Sequence, residues 1–328
     1  MRQFVRKFFY TKFFVFGYYG VHVITPKGVF FTEYFQKNAF FGCKIIINGW
    51  SGKTGVFADF FDCNVFERHS LIQFCGLDFL YAGVDNVYMQ KYFDAHCHLQ
   101  NVSNVAYVMA RATDIGVCGA VCNGTNPADW ADVLRIARNV PGVYGAVGVH
   151  PWYVQNIVSN WATRMREILT EFPDIMVGEI GLDKYRPAPE LQENIFIDCL
   201  DMAAEFSRPV FIHCVGAWNR VLQILKSRRN RLPRAMVAHA FTGSIDIMRT
   251  LADGYDFYFS YSPMIMDGRR GRLIDTVRQT PISRILIESD DANPVEVMSV
   301  ARRVAEIKSV DLDEVTNTIY KNTIGILK

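Results

Sequence analysis

Phe93-Asp94-Ala95-His96-Cys97-His98 sets two imidazoles two residues apart at the end of a short apolar run. In a strand, residues i and i+2 share a face, so His96 and His98 point the same way and Cys97 points to the other face. The thiol is therefore a poor partner for the two imidazoles. A His-x-His step by itself describes ordinary core or surface histidines as well as it describes a metal site. The choice depends on whether ligand-type side chains recur at strand ends further along the chain.

They do recur, and in a regular frame. Beyond His98, short apolar runs alternate with longer amphipathic stretches, the pattern of repeated βα units around a parallel sheet. The strand-like runs are Tyr92–His96, Val117–Cys122, Val143–Val149, Ile175–Glu179, Pro209–His213, Ala235–His239, Asp256–Ser260 and Arg284–Glu288. Helix candidates between them include Ala128–Asn139, Trp161–Phe172, Leu191–Phe206, Ala217–Arg228, Ile245–Asp253 and Val295–Lys308. Asn126-Pro127, Pro189 and Asn293-Pro294 supply start signals for three of them. Eight such units in about 240 residues match a (β/α)₈ TIM barrel, whose catalytic face collects the C-terminal strand ends. A doubly wound open sheet is the alternative, but no Gly-x-Gly-x-x-Gly follows the first strand.

The predicted strand ends carry a particular chemistry. Strand one ends in His96 and His98, strand three in His150, strand four in Glu179, strand five in His213, strand six in His239, and strand eight leads into Glu288-Ser289-Asp290. Five of the seven histidines thus fall at one end of the barrel, and closure converges them on one cavity. Imidazoles with carboxylates suit zinc or manganese, and magnesium less well because it prefers oxygen. One arrangement places His96, His98 and Asp290 around one cation and His213 and His239 around a second, with Glu179 between. A single-metal site is the alternative. Paired cations activate a shared water as a hydroxide and stabilise the departing oxygen of a phosphodiester.

The motifs Phe93-Asp94-Ala95-His96-Cys97-His98-Leu99, Gly148-Val149-His150-Pro151, Gly178-Glu179-Ile180-Gly181-Leu182-Asp183, Phe211-Ile212-His213-Cys214, His239-Ala240-Phe241-Thr242-Gly243 and Glu288-Ser289-Asp290 resemble, in order and spacing, the TatD family of metal-dependent hydrolases. The resemblance spans residues 89–328. It implies a TIM-barrel metallohydrolase of the amidohydrolase superfamily, often a deoxyribonuclease using Mg, Mn or Zn. It also implies that the metal ligands are His96, His98, Glu179, His213, His239 and Asp290. Asp290 would manage the proton of the attacking water, and His150 would face the substrate near the scissile phosphate.

Some positions depart from the family pattern. Trp152 stands where members often carry a second histidine, and Val215-Gly216 stands where an Arg-Asp pair is usual. Asp291-Ala292-Asn293-Pro294 replaces a Ser-Pro-like turn. A valine cannot donate to an oxyanion, so the phosphate grip must come from elsewhere. Arg269, Arg270 and Arg272, after strand seven, lie on the catalytic face as substrate-binding candidates, and Lys184 and Arg186 are similarly placed. Arg228, Arg229, Arg231 and Arg234 belong to the far face. The same metal site also suits an alternative reaction, hydrolysis of a carboxylic ester or amide such as an aminoacyl ester. A catalytically weak binding protein that keeps the barrel is a third reading.

Composition sets wider bounds. Half of the 328 residues are hydrophobic, enough for a large core, and the formal charge of +2 neither announces nor excludes a nucleic-acid partner. The eight cysteines form no Cys-x-x-Cys pair or regular framework, which fits reduced thiols in a cytoplasmic protein. No apolar run reaches the roughly 18 residues of a membrane span. Residues 1–88 form an extension dense in Phe and Tyr, unlike 89–328 in composition. Met89, just before the first motif, is a candidate native start, which would make the upstream segment non-native; an aromatic accessory domain is the alternative. Nothing in the sequence specifies an oligomeric state.

Overall fold

The computed structural model describes residues 90–328 throughout and, upstream of them, only the backbone of short strands. Four of these form an antiparallel sheet in the order Phe13–Gly17, Gly20–Thr25, Gly28–Lys37, Phe40–Cys43, and Ile72–Phe74 pairs with Leu77–Phe79. The chain divides into two compact units, Met1–Val87 and Tyr88–Lys328. Met89, the candidate start, lies outside the described residues.

The second unit is a (β/α)₈ barrel. Its strands are β1 (Tyr92–Cys97), β2 (Val117–Asn123), β3 (Val143–Val147), β4 (Met176–Asp183), β5 (Val210–Val215), β6 (Met236–Ala238), β7 (Phe257–Tyr261) and β8 (Ile285–Ile287). Each pairs in parallel with the next. The intervening helices are α1 (Val105–Thr113), α2 (Trp130–Asn139), α3 (Trp161–Glu171), α4 (Pro189–Glu205), α5 (Trp218–Ser227), α6 (Ile245–Tyr255), α7 (Gly271–Gln279) and α8 (Val297–Lys308), and α9 (Leu312–Leu327) follows. All eight predicted strands are present, seven of them within two residues of their expected limits, while β4 runs on past Glu179 to Asp183. Among the described residues, no helix is long and apolar enough to cross a membrane.

Alternation along the strands separates two apolar layers. Phe93, Ala95, Val121, Ala146, Met176, Phe211, Val237 and Leu286 fill the barrel interior, while their neighbours, such as Ile212, Ala238 and Ile287, pack outward under the helices. The same parity sends His213, two residues past Phe211, and His239, two past Val237, into the barrel mouth. Ile326 at the end of α9 joins the interior cluster, with Tyr320, Ile324 and Leu327 against it, so this helix plugs the N-terminal end.

In β1 the parity is broken. Phe93 and Ala95 face inward, so strict alternation would turn His96 out. The register with β2 shifts between Asp94 and Cys97, and the shift re-aims the chain so that His96 enters the cavity beside His98. A second irregularity in β4, between Val177 and Ile180, lies where Glu179 enters the cavity. At Gly181 (φ +151°) an added Cβ would stand 1.8 Å from the His213 carbonyl oxygen, so only glycine fits where β4 meets β5.

The barrel closes between β8 and β1 through hydrogen bonds at their C-terminal ends. Asp290 N donates to His96 O (3.1 Å) and His98 N to Asp291 O (3.0 Å). Asp94, fully buried, accepts from Ser289 N (2.9 Å) and Ser289 Oγ (2.5 Å). Closure therefore positions three site residues at once.

Candidate metal centre

Glu179 is the hub of the cavity. Its Oε2 lies 3.3 Å from His96 Nε2 and 3.6 Å from His98 Nε2. Its Oε1 lies 3.1 Å from His150 Nε2, 2.9 Å from His213 Nδ1 and 3.1 Å from His239 Nε2. Asp290 Oδ1 stands 3.9 Å from His96 Nε2, His98 Nε2 and His239 Nδ1. The structure thus brings together all six candidate ligands and His150. His96, His98 and Asp290 form one group, as the sequence suggests. Around the other carboxylate oxygen, His213 and His239 are joined by His150, a closer association than a substrate-facing role alone requires. Arg269, Arg270 and Arg272 are not part of this cluster: among the described residues none makes a hydrogen bond or ion pair with it. Arg269 is bound by Asp267 (2.8 Å from Nε), which also lies 3.8 Å from Arg270.

The surroundings fix how each ring is presented. His98 Nδ1 sits 3.0 Å from the Asn123 carbonyl, which accepts its proton and leaves Nε2 as the lone pair facing Glu179. His239 Nδ1 is 3.2 Å from Glu288 Oε1, so its Nε2 faces the cavity. Glu288 is itself held by Ala240 N (2.7 Å) and the Ser260 hydroxyl. His150 differs, because its Nδ1 accepts from Trp152 N (3.1 Å); Nε2 then carries the proton and donates to Glu179. Asp183 Oδ2 accepts from Trp152 Nε1 (2.9 Å) and its Oδ1 from Tyr185 N (2.9 Å), tying the loops after β3 and β4. Glu288 and Asp183 stand inside the quoted motifs, and Asn123 directly follows the predicted strand Val117–Cys122. Their roles were not legible there because they act on a ring or a loop rather than on the cavity itself.

Electrostatics follow from burial and crowding. Burial alone would raise the Glu179 carboxyl, but His239 and His150, then His213, hold it well below the usual range. Burial, assisted by His239, lowers the His96 imidazole, and burial lowers His150 against the pull of Glu179. For His239 burial is outweighed by Glu288, Glu179 and Asp290, which raise it well above its ordinary value. Both ring nitrogens of His96 and Nε2 of His213 are buried without a hydrogen-bond partner. Orphaned imidazole nitrogens beside a carboxylate kept ionised are the donor set of a divalent cation, so the residues present fit one. Among the described residues, no thiol joins these groups. Cys97 donates to Val121 O on the far face of β1, and burial pushes Cys122 up to about 12.

The barrel compares closely with known proteins. A crystal structure of a TatD homologue from Escherichia coli K12 matches with a TM-score of 0.68 at 24% identity, covering 73% of this chain and 98% of that one. A TatD family hydrolase from Entamoeba histolytica matches with a TM-score of 0.64 at 18% identity, over 72% and 98% of the two chains. At these identities the likeness shows the fold. In sequence, the chain is 30% identical over 246 residues to the 3'-5' ssDNA/RNA exonuclease TatD of Escherichia fergusonii, covering 67% of this chain and 92% of the relative. It is 35% identical over 191 residues to the protein of the same name from Shigella flexneri, over 56% and 71%. The model of the family described as TatD related DNase matches residues 93–328, the whole barrel from the first motif onward. With the family pattern and a relative of this identity both spanning the barrel, the chain belongs to the TatD related DNases.

Proposed function

We propose that this chain is a metal-dependent hydrolase of phosphodiester bonds in single-stranded DNA or RNA, the substrates named for its TatD relatives. In this reading His96, His98, Glu179, His213, His239 and Asp290 hold two divalent cations, zinc, manganese or magnesium. One observation carries it. A single buried carboxylate turns one oxygen to His96 and His98 and the other to His213 and His239, as a ligand shared between two cations requires.

Divalent cations held there supply Lewis acidity toward a phosphoryl oxygen and make water a stronger acid. The chain's own groups do the rest. Asp290 is the most open of the cluster, its side chain 35% exposed where Glu179's is 4%, so it meets solvent and substrate at the mouth. It accepts a proton from the attacking water and returns it to the leaving oxygen as the P–O bond breaks. His150, with its proton fixed on Nε2, acts as a donor and not as a ligand, and it swings from Glu179 to a phosphate oxygen when substrate enters. The buried imidazole walls keep bulk water from the reacting phosphorus. Arg269, Arg270 and Arg272 contact the strand further out, with Asp267 offsetting part of their charge.

The test is hydrolysis of single-stranded DNA with Mn²⁺ or Zn²⁺, alongside a panel of carboxylic esters. Asp290→Asn is expected to lower kcat by about 10²–10⁴-fold with little change in KM, the scale for a lost acid–base group. Ester turnover with no DNA cleavage would overturn the reading.

A further inference from the structure

The loops after β3 and β4 carry an ordered group of exposed rings and cations beside His150. Trp152 is 51% exposed, Tyr153 40% and Tyr185 73%, whereas most large apolar side chains of the barrel are buried. The His150 and Trp152 ring centroids are 5.2 Å apart, and His150 reaches Glu179 directly. Trp152 is not a floppy surface side chain. Its Nε1 is fixed by the buried Asp183, and the Arg186 guanidinium lies 4.0 Å from its ring centroid. Lys184 Nζ lies 4.8 Å from the centre of the Tyr185 ring.

Lys184 also lies across the end of β5. Its backbone N donates to Val215 O (3.0 Å), and its stem lies so close over Gly216 that an added Cβ would meet Cδ and Cε at 2.5 Å. Gly216 adopts φ +65° and bears no side chain, which leaves room for the lysine to cross from β4 to the loop after β5. A lysine just after β4 thus runs alongside Val215 and Gly216, which offer no side-chain donor, and carries its ammonium over the Tyr185 ring.

We propose that Trp152 and Tyr185 form a stacking platform for unpaired bases, with Lys184 and Arg186 as the backbone-binding cations, and that this platform holds the nucleotides next to the scissile phosphodiester. Aromatic rings alternating with cations are what an unpaired strand selects, because every base has a π face and every linkage a negative charge. A duplex hides its base faces and gains nothing from the rings. The proposal rests on the nuclease reading for the reacting phosphate, but the platform binds strand whether or not hydrolysis follows.

The experiment separates the two. The full chain charged with Mn²⁺ is titrated into a fluorescein-labelled, phosphorothioate-linked oligothymidylate and into an abasic oligomer of equal length, with anisotropy as the readout. Trp152→Ala is expected to weaken oligothymidylate binding about tenfold or more, Trp152→Phe to restore most of it, and neither to alter abasic binding. Lys184→Ala and Arg186→Ala are expected to weaken both oligomers and to reduce the slope of log affinity against log salt by roughly one each. Equal loss on both oligomers in Trp152→Ala, or none on either, overturns the platform. If the wild-type chain binds neither oligomer, the platform is overturned as well. DNA cleavage is scored separately, so a platform that binds without cleavage leaves this inference standing and removes the nuclease reading.

Discussion

Glu288 is fully buried and accepts from His239, Ala240 and Ser260. Its work is to hold one imidazole in one tautomer. Glu288→Gln should therefore weaken divalent metal affinity by about 10–100-fold while the barrel stays folded, the usual effect of losing a partner behind a ligand. Titration with Mn²⁺ or Zn²⁺ alongside circular dichroism checks this, and unchanged affinity would show that the contact is only structural. His239 adds a pH dependence. Three carboxylates raise it well above the ordinary histidine value, so at neutral pH the metal-free ring holds a proton that a cation must displace. Binding at pH 7 should release about one proton and tighten as pH rises. Calorimetry in buffers of different ionisation heat reads the number directly; the absence of buffer dependence would count against a protonated His239.

At the scale of elements, the seam between β8 and β1 is where architecture and site coincide. Asp94 is buried and anchored to Ser289, and burial pushes its carboxyl up against the lowering effect of those hydrogen bonds. Asp94→Ala leaves Ser289 N and His96 N without their carboxylate acceptor in the core, with an expected loss of about 2–4 kcal/mol. Asp94→Asn, which keeps one acceptor, should cost less, and thermal unfolding with metal chelated distinguishes them. Equal stability of all three would mean that the seam closes without Asp94. The strands were legible because their apolar runs are short, regular and rich in Val and Ile, and the ligand types at their ends gave the site. The register shift in β1 was not legible, since it depends on how β2 pairs with it and leaves no mark in the spacing of His96 and His98. Helix α9 was obscured by its own composition. Val315, Thr316, Thr318, Ile319, Thr323, Ile324 and Ile326 read as strand formers, and only the burial of Val315, Thr316, Ile319, Thr323 and Ile326 at helical spacing overrides that preference.

Across the whole molecule, the barrel has its own core, its own plug in α9 and all of the candidate ligands. We expect a chain beginning at Met89 to fold alone and to keep its metal and its activity. Aggregation or loss of metal on removal of residues 1–88 would assign the upstream unit a structural role. Ile326→Ala, at the plug, should cost about 2–5 kcal/mol, the range for truncating a buried isoleucine, without changing metal stoichiometry. The division of labour that these expectations share is simple: one end of the barrel is apolar and closed, and the other gathers imidazoles around a single carboxylate. Both proposed cations depend on that carboxylate. Metal analysis and single-stranded DNA hydrolysis, measured together on wild type and Glu179→Gln, test it most directly. Wild type is expected to bind two divalent ions per chain and to cleave in a chelator-sensitive manner, and Glu179→Gln to lose both properties while remaining folded. Undiminished metal binding and cleavage in Glu179→Gln would contradict it.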